Sequence, residues 1–290
     1  MQQKIPTSYL RDILELNFAI LLIATSGPLG RYINLPVPII IAARATLGAL
    51  FLFMFCKWKG FSLSISSKDR AIVYGSGLLM GIHWVTYFYA LKLSTVAIGM
   101  LSIFTYPVIT ALLEPLILKT KFQKTHLFLG VLVLGGIYLL IPEFDFENTY
   151  LQAVGFGLFS AFCYALRNII SKKVVSVYGG SVLMGYQLVV VSVLLIPTWF
   201  FIDFSGLTTE WPFVLLLALV TTAIGHTLFL MSFRNFSITT ASIISSTQPI
   251  YGIILGAIFL SEVPGWNVIL GGILILCSVF VESYRSFHTK

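Results

Sequence analysis

Few residues in this chain could do chemistry, and most of those sit inside long apolar stretches. Arg44 lies in "VPIIIAARATLGALF", His83 in "HWVTYFY", Glu114 in "TYPVITALLEP" and Arg167 in "SAFCYALRN". A guanidinium at membrane depth costs roughly 2.5 kcal/mol or more, so such groups must face a bundle interior or water. Arg44 can hold a carboxylate or phosphate through paired hydrogen bonds, or it can bond helix-end carbonyls and fix packing. Glu114 and Arg167 fall at similar depth. They form an ion pair, or Glu114 carries a proton in a watery vestibule, or it snorkels. His83 and Tyr87 share a helix face one turn apart, with Trp84 beside them, making either a cavity wall or plain aromatic packing. His226 is the second histidine in an apolar run. Neither histidine has Cys, Asp or another His at ligand spacing, so neither a metal site nor a cofactor is expected.

Two polar clusters precede prolines. Ser102, Thr105 and Tyr106 come before Pro107; Ser245, Ser246, Thr247 and Gln248 come before Pro249. A proline inside a helix removes one backbone bond and crowds the preceding turn, at roughly 3 kcal/mol. Such a break near mid-bilayer frees carbonyls and hydroxyls to face a cavity. Small polar residues can also simply let helices pack closely. Occurring twice at matching places, they are expected to line a cavity and touch substrate, with Gln248 able to donate and accept at once. Gly27 and Pro28, in "TSGPLG", interrupt the first apolar run as a hinge or a point of close contact.

The elements that carry these residues follow from composition. Of 290 residues, 58% are hydrophobic and 10% charged, and the mean hydropathy is +0.95. A soluble domain carries about a quarter charged residues. Ten apolar spans emerge at 13–33, 37–56, 71–91, 95–118, 124–142, 151–171, 182–202, 212–232, 239–260 and 266–284, each long enough as a helix for a hydrocarbon core of about 30 Å. The expected fold is an all-α integral membrane protein, with the first span retained rather than cleaved. The net charge of +7 sits in short loops and does not indicate nucleic acid; the partners are the lipid bilayer and a small molecule. Cys56, Cys163 and Cys277 read as small hydrophobes. The chain is expected to be a monomer or a weak homodimer.

With the N-terminus in the cytoplasm, fourteen of the eighteen Lys and Arg residues fall on the cytoplasmic side, as the positive-inside rule requires. Both termini are then cytoplasmic in an inner (plasma) membrane, and the acidic 143–149 loop is external. Sliding the chain by 142 positions lays "SFRNFSITTASIISSTQP" on "ALKLSTVAIGMLSIFTYP" without a gap, and Lys92 on Arg234. One position off that register Gly130 meets Gly271. Residues 1–142 and 150–290 thus read as two five-helix repeats. Five is odd, so the second enters the membrane inverted, an arrangement that places substrate sites between halves.

These features resemble the EamA branch of the drug/metabolite transporter superfamily: two five-helix halves, Arg44 in the second span, prolines in the fourth and ninth, and "IFLSE" followed by "NVILGGILIL". The resemblance covers nearly the whole chain. It implies alternating access and movement of small metabolites such as amino acids. A glutamate ending the fourth span of a repeat is common there; Glu262 matches it, while the first half has Thr120.

Rival functions lack their residues. Intramembrane proteolysis needs a serine–histidine pair, paired aspartates or H-E-x-x-H, and none is present. No enzyme is expected. With Arg44 and Arg167 against Glu114, the charge balance in the spans favours neutral, zwitterionic or anionic metabolites over cationic drugs. Export is the expected direction. The alternatives are a multidrug exporter and a channel-like or structural membrane protein.

Overall fold

Where water is absent a chain must satisfy its backbone within itself, and long apolar runs do so as helices. The structure, a computed structural model, describes residues 7–119, 125–141 and 147–288. In order the helices are α1 (Thr7–Ala24), α2 (Ser26–Tyr32), α3 (Val37–Trp58), α4 (Arg70–Leu93), α5 (Val96–Ile103), α6 (Tyr106–Leu118), α7 (Thr125–Leu140) and α8 (Thr149–Tyr178). Then come α9 (Gly180–Leu194), α10 (Thr198–Phe201), α11 (Leu207–Leu216), α12 (Thr227–Ser232), α13 (Ile238–Ile244), α14 (Gln248–Leu260) and α15 (Trp266–His288). A π-helical segment, Leu217–His226, joins α11 to α12, and a 3₁₀ turn, Ser245–Thr247, joins α13 to α14. Among the described residues there is no strand. Most of the acidic 143–149 loop, Thr120, and residues 1–6 and 289–290 lie outside the described residues.

Eight stretches are long and apolar enough to cross a membrane: α1 with α2, α3, α4, α5 with α6, α8, α9 with α10, α11 through α12, and α13 with α14. The fifth and tenth expected spans are shorter in their apolar parts, Phe128–Leu140 and Trp266–Ser278. Thirteen residues reach only about 20 Å as a helix, against a core of about 30 Å. Outward faces carry large apolar side chains such as Met54, Leu134, Phe201 and Phe259.

The interruptions differ from expectation in a telling way. Pro107 and Pro249 do not sit inside helices; each stands in the first turn of a new one, α6 or α14. There a proline forfeits no hydrogen bond and its fixed φ suits the helix. The breaks precede the prolines, at Phe104–Thr105 and Ser245–Thr247. Pro28 likewise lies within α2, and the first span is interrupted at Thr25 instead. Gly27 serves close contact, since a Cβ there would come within 2.8 Å of Met100 Sδ. Helices α6 and α14 also end alike, on the left-handed residues Lys119 and Ser261, each with φ 55°.

Helix α4 lies along α8, α3 along α9, and α7 along α15. The last pair touches at glycines: a Cβ on Gly136 would meet the Gly271 carbonyl oxygen at 2.8 Å, and the reverse approach is 2.7 Å. Gly130, which the sequence comparison set against Gly271 one position off register, faces open space.

Candidate functional site

The two interruptions meet. Tyr106, first residue of α6, bonds through its hydroxyl to Ser245 Oγ, and Ser245 bonds the Ser242 carbonyl at 2.6 Å. Ser245 thereby spends its one proton on Ser242, so Tyr106 is the donor. Beside this joint lies a cavity of about 20 Å³, room for about one water. Arg44, His83, Trp84, Tyr87, Tyr106 and Gln248 line it, six of the nine residues expected to touch substrate. Gln248 makes no amide hydrogen bond to the described residues.

The other three do not reach the cavity. Thr105 Oγ1 bonds the Ser102 carbonyl at 2.9 Å, Thr247 Oγ1 bonds that of Ile244 at 3.1 Å, and Ser245 holds Tyr106. A hydroxyl three residues past a carbonyl readily bonds back to it, and here that local bond prevails. Their part is to satisfy the interruptions.

Arg44 is wholly buried on α3. Its Nε and Nη2 donate to Thr222 Oγ1 at 3.0 and 2.7 Å, and its guanidinium lies 3.9 Å over the Trp84 ring. Thr222 belongs to the π-helical segment and donates to the Leu217 carbonyl five residues back, at 2.9 Å. Widened turns of this kind cluster at functional sites. Arg44 Nη1 has no partner, and neither salt bridge among the described residues involves Arg44.

His83 on α4 is locked to α8. Ser160 Oγ donates to the His83 carbonyl at 2.7 Å and contacts His83 Nδ1 at 2.8 Å. The serine proton is spent on the carbonyl, so Nδ1 carries a proton directed at Ser160 Oγ. The ring stacks on Tyr164, with centroids 4.3 Å apart. Across from it, His226 sits edge-on to Trp84 at 5.4 Å, and its Nδ1 is unpartnered. The Tyr87 hydroxyl, with Ser26 as polar neighbour, makes no hydrogen bond of standard geometry.

The expected Glu114–Arg167 ion pair is not formed. Arg167 Nε donates to Gln187 Oε1 at 3.2 Å and Nη1 to Asn168 Oδ1 at 2.9 Å, and neither salt bridge among the described residues joins it to Glu114. Gln187 then donates onward to Ser76 at 2.8 Å and Ser171 at 3.2 Å. Similar depth did not mean proximity: Arg167 turns toward α9 and α4, and Glu114, half-buried on α6, lies elsewhere.

Sequence reasoning missed Tyr164, Phe104 and Ser26 as cavity residues, and considered His226 only for metals. Tyr164 had a signal, standing one helical turn before Arg167. The π-helical register that brings Thr222 under Arg44 had none.

A polytopic helical bundle with a small polar cavity where two interrupted helices meet is the architecture of a membrane transport protein. The chain belongs to the EamA-like transporter family, whose model matches residues 13–141 and again 151–284. It is a multi-pass membrane transporter and not an enzyme. The pseudopaline exporter CntI of Pseudomonas aeruginosa is 27% identical over 255 residues, covering 86% of this chain and 87% of that protein. An uncharacterized transporter of Archaeoglobus fulgidus is 25% identical over 238 residues, covering 82% and 83%. YwfM of Bacillus subtilis, also an uncharacterized transporter, is 23% identical over 233 residues, covering 78% and 77%. A chain solved by crystallography superposes with a TM-score of 0.72 over 97% of this chain and 99% of its own length, at 17% identity.

Proposed function

We propose that this protein is a secondary transporter that exports small neutral, zwitterionic or anionic metabolites, amino acids or their relatives, across the inner membrane by alternating access. The observation that carries the reading is the cavity between the interrupted helices. Among the described residues, Arg44 and Arg167 are the buried lysine or arginine side chains, and no carboxylate is buried with them. An interior of that sign repels cations and suits anionic or zwitterionic cargo.

Several pairings support two inverted halves, 1–142 and 150–290, with ten spans. Pro107 and Pro249 begin equivalent helices 142 positions apart, as Lys119 and Ser261 end them. Arg31 Nη1 donates to the Lys92 carbonyl at 3.3 Å, and Lys172 Nζ to the Phe233 carbonyl, each partner displaced by 141. In an inverted pair such contacts close opposite ends of the cavity. Cytoplasmic termini and an external 143–149 loop follow from the loop charges. Glu114, within the Val96–Leu118 span, is the candidate carrier of a coupling proton. The outward direction draws support from the relative named as an exporter.

Cells overproducing the protein should enrich the medium in particular metabolites, read by mass spectrometry, and everted membrane vesicles should accumulate the same compounds. Unchanged medium and idle vesicles, with folded protein in the membrane, would reject the reading.

A further inference from the structure

We infer that Arg44 and Tyr87 form a carboxylate-binding subsite within the cavity, a deepening that rests on the transporter reading above. The cavity holds donors without acceptors of standard geometry. Arg44 spends one edge of its guanidinium, Nε and Nη2, on Thr222 Oγ1. Its Nη1 is buried without a partner, and the Tyr87 hydroxyl is buried with Ser26 as its polar neighbour and no hydrogen bond of standard geometry. Both residues line the same cavity. A buried donor left unpaired is costly, and a charged one more so. The binding of an acceptor at this place relieves both at once.

The acceptor must be anionic and small in its binding group. The Arg44 plane is pinned by the Trp84 ring at 3.9 Å on one side and by the bond to Thr222 at its edge. What remains is a flat fork, Nη1 with the second hydrogen of Nη2, the geometry that matches two oxygens of a carboxylate. Tyr87 adds one further donor. A phosphate would bring more oxygens than these donors serve, against walls that are mainly aromatic rings. No carboxylate of the protein competes: Arg44 enters neither salt bridge among the described residues. His226 Nδ1, also unpartnered, is left for the cargo's other polar group. Trp84 and Thr222 are positioning residues, holding the fork in one plane.

The test uses full-length purified protein in liposomes and a pool of water-soluble metabolites extracted from bacterial cells. Half of the pool has its carboxyl groups capped as methylamides. Mass spectrometry of the washed liposomes reads what accumulates. The expectation is accumulation of carboxylates from the native pool and about tenfold less, or lower, of the same compounds from the capped pool, as loss of a charged hydrogen-bonded pair implies. Equal accumulation from both pools would overturn the carboxylate subsite and leave the transporter reading standing. No accumulation from either pool, by protein that is monodisperse and melts cooperatively, would overturn both. Arg44→Lys should abolish the preference for the native pool, since an ammonium offers neither the fork nor the stack. Tyr87→Phe serves if that variant does not fold. It should raise the apparent KM for a carboxylate found in the native pool about five- to tenfold with the maximal rate little changed; an unchanged KM would remove Tyr87 from the subsite.

Discussion

The Tyr106 hydroxyl donates to Ser245 Oγ, and this one bond ties the interruption before α6 to the interruption before α14. Its ring also stands edge-on to Tyr164, with centroids 4.9 Å apart, so one side chain serves both the joint and the cavity wall. Tyr106→Phe should keep the wall and lose the joint, costing about 0.5–1.5 kcal/mol. Thermal unfolding in detergent should show the lower midpoint, and the apparent KM for cargo should stay nearly constant. A raised KM with unchanged melting would mean that the hydroxyl serves cargo rather than the joint.

Thr222 is the only hydrogen-bond acceptor that the described residues give Arg44. Thr222→Val keeps the shape and strands the guanidinium, for about 1.5–3 kcal/mol. A Thr222→Val, Arg44→Met double variant should recover much of that stability, because removing both members of a buried polar pair is often near neutral. It should not recover transport. Thermal melts beside vesicle uptake separate the two effects; a double variant as unstable as the single would break the argument.

Glu262 clasps two elements at one end of the bundle. Its Oε1 takes Arg31 Nε at 3.1 Å and its Oε2 takes the Val96 backbone N–H, the first of α5, at 2.7 Å. The pair is partly exposed, so it is worth about 1 kcal/mol or less, enough to bias two states that lie close in energy. Glu262→Ala should open that end. A cysteine replacing the cavity residue Ser26, in a protein without Cys56, Cys163 and Cys277, should then react faster with an impermeant maleimide added outside. Labelling at the parent rate would show that Glu262 gates nothing.

Glu114→Gln separates coupling from structure. If Glu114 carries the proton, the variant should fold, keep counterflow exchange, and lose uptake driven by a pH gradient. Gradient-driven uptake at the parental rate would discard that role.

Topology has its own check. With the native cysteines replaced, Glu147→Cys should be labelled on intact cells by an impermeant reagent and Lys121→Cys should be spared. The reverse pattern would invert every assignment of side.

Hydropathy alone determined that this chain is a helical membrane protein, because burial of backbone in lipid admits few other answers. Helix positions were legible as well: 37–56 became Val37–Trp58, and 71–91 became Arg70–Leu93. Arg44, His83, Trp84, Tyr87, Tyr106 and Gln248 were legible as cavity-lining residues because polar and aromatic groups at membrane depth must face an interior. Depth, however, is one coordinate. Which way a side chain turns about its helix, and which helix stands opposite, are set by packing over the whole bundle. So Arg167 went to Gln187 and not to Glu114, and the hydroxyls of Thr105 and Thr247 turned back to their own chain. The tertiary structure likewise decided that Thr222 would lie under Arg44, through a π-helical turn whose extra residue shifts every following side chain around the axis. A pattern read at 3.6 residues per turn does not register that shift.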